Sequence, residues 1–175
     1  MTRCRRLACA SFVLLLAACG AAAADPPPRL RPIDRDMARL LDRGLDASPS
    51  LRAIADRLNA SDVVVYLECA RLPEGLDGQL TFVSAGGGLR YVIVRVAWDR
   101  SRGRRTAMLA HELQHAVEVA DHPEIVDQRT LALSYARFGF ERRLLAGPRT
   151  AAYDTHAAID TGARVLAEVQ GANGE

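Results

Sequence analysis

The sequence contains no lysine, and its few cysteines are unevenly placed. All 23 basic residues are arginine, which we attribute to genomic composition bias and not to chemistry. Cys4, Cys9 and Cys19 lie near the amino terminus, so Cys69 is the one cysteine in the rest of the chain. This distribution excludes an intramolecular disulfide in the folded part and a zinc site built from several cysteines.

The chain also lacks an excess of positive charge once its amino terminus is set apart. Residues 1–18 hold three of the 23 bases and none of the 21 acidic residues, which leaves 20 bases against 21 acids. This near balance provides no basic surface for nucleic acid, so we expect no nucleic-acid partner. The sequence shows no internal repeat, and its length suits one domain with a hydrophobic core.

The amino terminus has the features of an export signal at residues 1–18. Arginines at positions 3, 5 and 6 precede an apolar run, Leu7 to Ala18, that is too short to span a bilayer as a mature helix. Residues 19–32 are rich in alanine and proline and are expected to form an extended tether. A single domain is then expected at 33–175.

The signal ends in the sequence Leu-Ala-Ala-Cys at positions 16–19, which resembles a bacterial lipobox. The resemblance implies cleavage before Cys19 and attachment of lipid to it, which would anchor the protein to a membrane of the cell envelope. Gly20 after the cysteine favours the outer membrane, on its periplasmic side. Ordinary cleavage after the alanines at 21–24 would instead produce a soluble periplasmic or secreted protein.

Hydrophobic periodicity predicts helices on both sides of a group of strands. The predicted helices lie near 34–43, 48–58, 106–120, 123–137 and 150–169. The predicted strands lie at 63–67, 79–84 and 89–98. Glycines at 86–88 permit positive φ angles, so the last two strands are expected to form a hairpin. The order predicts an α+β fold in which a small antiparallel three-stranded sheet packs on helices.

The helix predicted at 106–120 carries an H-E-x-x-H pattern from His111 to His115. Residues four apart lie on one face of a helix, so the two imidazoles can bind one zinc ion. Glu112 lies beside them, where it can take a proton from a metal-bound water. The pattern predicts a zinc-dependent hydrolase, with a peptide or protein as substrate. A pair of partly exposed histidines without metal is the alternative.

The pattern and its setting resemble the zincin metallopeptidases. In their amino-terminal subdomain an edge strand lies beside the active-site helix. The resemblance implies that one hairpin strand, 79–84 or 89–98, holds substrate backbone in extended form. Residues 110–118 and Tyr153-Asp154-Thr155 are also similar to a group of uncharacterised bacterial exported zincin-like proteins. That group has no settled activity. The alternative function is therefore a non-catalytic envelope lipoprotein that acts as a scaffold or binding module.

A catalytic zinc ion needs a third protein ligand beside His111 and His115. Gluzincin-like peptidases draw this ligand, usually a glutamate, from a later helix, and Asp154 is the candidate for that position here. Asp121 and His122 lie near the last position of the metzincin pattern H-E-x-x-H-x-x-G-x-x-H or D. In that pattern a glycine allows the sharp turn toward the metal, and this chain has a glutamate there. Asp154 is the preferred hypothesis, and the other two remain open.

Glu118 occupies the position of the metzincin glycine. It lies seven residues after His111, almost on the same helix face. Its position favours an orienting role, in which the carboxylate fixes an imidazole or an arginine, over direct metal binding. A solvated carboxylate on the helix surface is the alternative. Tyr135 and Tyr153 carry hydroxyls that could stabilise an oxyanion, although packing in the core accounts for both.

Overall fold

The computed structural model describes residues 27–142 and 152–172, in which five helices accompany a four-stranded sheet. The helices are α1 (Arg35–Ala47), α2 (Pro49–Asn59), α3 (Arg102–Asp121), α4 (Gln128–Phe138) and α5 (His156–Gly171). The sheet contains β1 (Leu30–Pro32), β2 (Val63–Ala70), β3 (Gly78–Gly86) and β4 (Leu89–Ala97). A separate ribbon consists of β5 (Phe140–Arg142) and β6 (Ala152–Asp154). The architecture is α+β, as the sequence predicts.

The sheet is mixed, whereas the sequence predicted three antiparallel strands. Its order is β1-β2-β4-β3, with β1 and β4 parallel to β2 and β3 antiparallel to β4. The hairpin between β3 and β4 forms as predicted, and Gly87 and Gly88 adopt φ angles of 60° and 75° in its turn. The antiparallel prediction is wrong for β2. The connection at 71–77 leaves an empty position beside β2 and places β3 at the edge of the sheet. Strand β4 then fills that position and lies between β2 and β3.

Strand β1 lies within residues that the sequence assigned to the tether at 19–32. Leu30 is buried and pairs with Val65, and the N–H of Ile33 donates to the carbonyl of Leu67. A strand of three residues that ends in proline carries too short a pattern to be recognised from sequence. The signal at 1–18, the lipidation candidate Cys19 and the tether as far as residue 26 lie outside the described residues.

The first two helices meet at a cap that the sequence predicts. The side chain of Ser48 accepts a hydrogen bond from the N–H of Leu51, and Pro49 occupies the first position of α2. Helix α1 continues past Gly44, where the sequence predicted its end. A Cβ at Gly44 would lie 2.7 Å from Leu51 and 2.9 Å from Thr106. This glycine therefore allows α1 to pack closely against α2 and α3, and it does not end the helix.

The later helices begin further along the chain than predicted. Helix α4 starts after Asp127, whose carboxylate and backbone form a capping box with Thr130, and not at Pro123. Helix α5 starts after its cap Thr155, because residues 152–154 form β6. The predicted start near 150 lies outside the described residues. In the described part of the chain, no helix combines the length and apolarity needed to cross a membrane.

The core lies between one face of the sheet and the helices. Alternate side chains of β2 and β4 are fully buried on that face: Val63, Val65, Leu67, Val92, Val94 and Val96. Helix α3 packs against the sheet on one side and against α5 on the other, so it is buried around most of its circumference. The opposite face of the sheet is partly exposed and carries a stacked pair, Tyr66 and Tyr91. The candidate site residues of α3, His111, Glu112 and His115, therefore lie deep in the domain.

Arg90 of β4 fixes the carboxyl end of α3. Its side chain is 6% exposed and forms a two-point ion pair with Asp62, with both N–O distances 2.7 Å. Its Nη1 donates to the carbonyls of Val119 and His122 at 2.6 and 2.8 Å. The last turn of α3 has no basic residue of its own. Arg90 therefore supplies the positive charge that a helix carboxyl end favours.

We expect Arg90→Leu to lower the free energy of unfolding by about 2–4 kcal/mol, since it leaves buried carbonyls and a carboxylate without their donor. Urea denaturation measures this change. Arg57→Leu is the matched control, because Arg57 pairs with Asp121 at the same helix end but is 56% exposed. An exposed pair contributes up to about 1 kcal/mol. Equal losses in both variants would contradict the role given to Arg90.

Candidate metal centre

Helix α3 brings His111, Glu112 and His115 to one buried position. These residues are 7%, 5% and 6% exposed. The two imidazoles lie one turn apart with ring centroids separated by 4.9 Å and planes at 85°. Burial of three polar side chains requires polar partners, because an unpaired polar group in a core is costly. The partners of the two histidines come from α3 itself and from elements that follow it in the chain.

Asp154 is the partner that both histidines share. It ends β6, immediately before the cap of α5, and is 1% exposed. Its Oδ1 lies 3.3 Å from Nε2 of His111 and 3.6 Å from Nε2 of His115, and it also accepts from the N–H of Thr155 at 2.7 Å. The sequence expected Asp154 in the first turn of a helix. The structure has it in a strand and brings it to both histidines.

The spacing of these three groups suits a tetrahedral ion. Ligand atoms of all three residues lie within 4.8 Å of one another. Zinc ligands at about 2.0–2.2 Å in a tetrahedron lie about 3.3–3.6 Å apart, which matches both distances from Asp154. Two imidazole nitrogens and one carboxylate oxygen are a donor set that zinc accepts. His111, His115 and Asp154 could therefore hold a metal ion, and their donor set suits zinc.

Glu118 orients this group and does not join it. Its carboxylate lies 2.8 Å from Nδ1 of His115, so the N–H of that nitrogen donates to Glu118 and Nε2 is left to face Asp154. The hydroxyls of Tyr135 and Thr155 also donate to Glu118, at 2.8 and 2.6 Å. Glu118 is buried and contacts His115, so it is not the solvated surface carboxylate of the alternative interpretation, and its orienting role stays a prediction. The hydroxyl of Tyr135 points at the carboxylate of Glu118 and helps to hold it in place.

The electrostatics of the centre favour a cation. Three carboxylates, Glu112, Glu118 and Asp154, lie near two imidazoles. Burial alone lowers the pKa of His115, but hydrogen bonds to Asp154 and Glu118 and the charge of Glu112 raise it to about 10. Burial raises the pKa of the Asp154 carboxyl, but its hydrogen bonds to both histidines hold it well below its usual range. His115 thus holds its proton tightly in the absence of metal, and a divalent cation bound there would have to displace that proton.

The metzincin-like alternatives lie away from this centre. Asp121 pairs with Arg57 at 2.6 Å, and His122 lies 3.1 Å from Glu124 and stacks on the ring of Phe138. Both occupy the carboxyl end of α3, where His122 caps the helix. The chain does not turn back at Glu118, because that residue remains helical. The structure brings Asp154, and neither of these two, to His111 and His115.

Gly78 is a part of the site that sequence reasoning missed. It begins β3 and lies against Glu112, so that a Cβ at this position would be 2.5 Å from Oε1 of Glu112 and 2.7 Å from Met108. A glycine at the start of a strand carries no signal of such a contact in sequence. Thr155 was also missed in its role toward Glu118. A threonine before a helix is explained by capping, and Thr155 does accept from the N–H of Ala158 as a cap.

Comparison of the chain with models of protein families, with curated proteins and with solved structures finds no match. The functional inference therefore depends on the arrangement of side chains in this centre.

We expect Gly78→Ala to lower the free energy of unfolding by about 1–3 kcal/mol, because the added methyl group overlaps Glu112 and Met108. Denaturant unfolding measures this change. Gly86→Ala, at the other end of the same strand, is the control, since a Cβ there meets nothing within 4 Å. If the two variants lose the same stability, close contact between β3 and Glu112 is not what Gly78 provides.

We also expect zinc affinity to rise about tenfold per pH unit between about pH 6 and 8, since zinc must displace the proton of His115. The pKa of His115, raised to about 10 without metal, means that this proton is bound across that range, so lowering the pH weakens binding. Competition with a chromophoric chelator measures the slope. His122→Ala should keep it, because His122 lies outside the centre. A zinc affinity independent of pH would contradict the assignment.

Proposed function

We propose that this protein is a zinc-dependent hydrolase that acts on peptides. The observation that carries the proposal is the buried group of His111, His115 and Asp154 beside Glu112, at spacings that suit a tetrahedral zinc ion. Two nitrogens and one oxygen as protein ligands are typical of catalytic zinc sites, which keep a fourth position for water or substrate. The H-E-x-x-H sequence supports the same chemistry.

Each side chain has a distinct part in the proposed reaction. A bound zinc ion would act as a Lewis acid, which polarises a substrate carbonyl and makes water more acidic. Glu112 accepts the proton of the attacking water and later donates it to the leaving amine. Glu118 holds the N–H of His115 and so keeps Nε2 available for the metal. Gly78 allows the carboxylate of Glu112 to remain beside β3.

The edge strand β3 supports a peptide as the substrate. Asp77 accepts the N–H of Ala97, so in the alternating antiparallel pattern the backbone groups of Gly78, Leu80 and Phe82 point away from β4. An extended peptide can hydrogen-bond to such an outer edge as an added strand. Because Gly78 lies against Glu112, a peptide on this edge passes the carboxylate that acts as base.

The burial of the centre favours one alternative. The side chains of His111, His115 and Asp154 are 9%, 7% and 1% exposed, which also suits a closed site in which metal serves folding alone. On this alternative the protein is a scaffold or binding module without catalysis. The two functions differ in whether Glu112 affects a reaction, since a structural metal site has no use for a base.

For the location of the protein, we propose a lipid anchor at Cys19 in the cell envelope, on the periplasmic side of the outer membrane. The lipobox-like sequence at positions 16–19 supports it. Export without lipid to the periplasm or the medium is the alternative. In both cases the substrate would be a peptide or protein outside the cytoplasm.

The proposed function predicts that Glu112→Gln lowers hydrolysis by about 100-fold or more, because it removes the base and keeps the size of the side chain. Zinc content should not change. The measurement is turnover of a mixed peptide library by the zinc-loaded protein, with zinc determined by elemental analysis. Glu118→Gln is the matched comparison, since it lies on the same helix and orients a ligand. It should lower zinc affinity by about tenfold or more.

Two results would contradict the proposal. Equal activity of the wild type and Glu112→Gln would remove Glu112 as the base. Absence of hydrolysis in both, with zinc bound in both, would favour the scaffold or binding module. Loss of zinc in Glu112→Gln would instead assign that carboxylate to the metal.

A further inference from the structure

We propose that Gln128 closes one end of the peptide groove on β3, so that the enzyme acts near chain ends and on short peptides. The inference rests on the proposed function, because it assumes that a peptide binds along β3. It concerns a residue of α4 that takes no part in metal binding. The contacts of α3, β3 and α4 carry it.

The first step is the direction of the groove. Asp77, before β3, bonds to Arg104 near the start of α3, and Gly78 lies against Glu112 in its middle. Arg90, opposite the far end of β3 in the hairpin, bonds to Val119 at the end of α3. Strand and helix therefore run side by side in the same direction. A peptide on the edge of β3 passes Glu112 first and then moves toward Phe82.

The second step is the contact at Phe82. Its N–H points away from β4 and donates to Oε1 of Gln128 at 3.0 Å. This carbonyl oxygen occupies the place that the carbonyl of an added strand would take. The regular register of β3 also breaks between Phe82 and Ser84, where a bulge interrupts pairing. The side chain of Gln128 and the bulge thus both end, at Phe82, the part of the β3 edge to which a peptide can hydrogen-bond.

The third step is what holds Gln128 there. It is the first residue of α4 and lies between Asp127 and Thr130, which form the capping box of that helix. Tyr135 lies seven residues later, on nearly the same face of α4, and donates to Glu118 in the metal centre. Helix α4 is therefore fixed by the centre itself. Gln128 is exposed, so a variant can remove its hydrogen bond to the strand without disturbing the core.

The length of the groove follows from these positions. Strand residues rise about 3.3 Å each, so Gly78 and Phe82 lie about 13 Å apart along the edge. Between Glu112 and Gln128 there is room for about four residues of an extended peptide. The substrate class is therefore peptides whose chain ends within about four residues of the cleaved bond, in preference to the middle of long chains.

The experiment compares peptide length with the identity of residue 128. Fluorescein-labelled mixed-sequence peptide libraries of about four and about eight residues are titrated against the zinc-loaded full chain, and binding is followed by anisotropy. The wild type should not favour the longer library. Gln128→Ala should raise affinity for it by about threefold to tenfold, the value of one released hydrogen bond, and leave the shorter library unchanged.

Two further variants control the comparison. Gln128→Glu keeps an acceptor oxygen for Phe82 and should retain the wild-type length ratio. Gln79→Ala, an exposed glutamine on β3 that is oriented to the other face of the strand, should also retain it. Hydrogen exchange of the Phe82 amide should be faster in Gln128→Ala than in Gln128→Glu. This measurement tests the hydrogen bond between Phe82 and Gln128 directly, without a peptide or a reaction.

The outcomes separate this inference from the proposed function. A length ratio that does not change in Gln128→Ala, or that changes equally in Gln79→Ala, overturns the inference while hydrolysis remains possible. A changed ratio with no effect of Glu112→Gln on any reaction supports the groove and overturns the hydrolase. If neither library binds, the groove is overturned, and zinc binding is decided separately by the chelator competition.

Discussion

The buried carboxylate of Glu118 is the interaction on which the candidate metal centre depends. It is 9% exposed and is contacted by His115 of its own helix, Tyr135 of α4 and Thr155 at the cap of α5. A buried charge without partners costs several kcal/mol, and three donors offset that cost. Helices α4 and α5 must therefore dock on α3 together. Asp154 precedes Thr155 directly, so the same contact sets the position of the third candidate ligand.

The remaining charges explain why the centre attracts positive charge. With neutral imidazoles, the carboxylates of Glu112, Glu118 and Asp154 leave an excess of negative charge in a buried place. In the absence of metal, protonation of His115 offsets part of it, which is why the pKa of His115 lies far above its usual range. Metal binding would replace that proton, so we expect it to stabilise the fold as well as the site.

The sequence predicted the parts of the centre that local patterns encode. The H-E-x-x-H pattern specified a helix face, and the later Tyr153-Asp154-Thr155 segment suggested the third ligand. Local pattern could not specify that β4 pairs in parallel with β2, because strand neighbours depend on the path of the connection at 71–77. Local pattern could not assign β6 either, since an aspartate just before a helical segment is equally expected in the first turn of that helix. Gly78 and Thr155 acquire their roles only through contacts distant in the chain.

Helix α4 links the two parts of the proposed function, the candidate metal centre and the proposed peptide groove on β3. Its Tyr135 satisfies Glu118, and its Gln128, two turns earlier on the same face, covers the edge of β3. A shift of α4 would therefore disturb both contacts at once, because the helix moves as a rigid element. The carboxyl end of α3 is fixed independently by Arg90. Helix α3 thus provides the fixed reference, and in the proposed groove the placement of α4 against it would determine where a bound peptide ends.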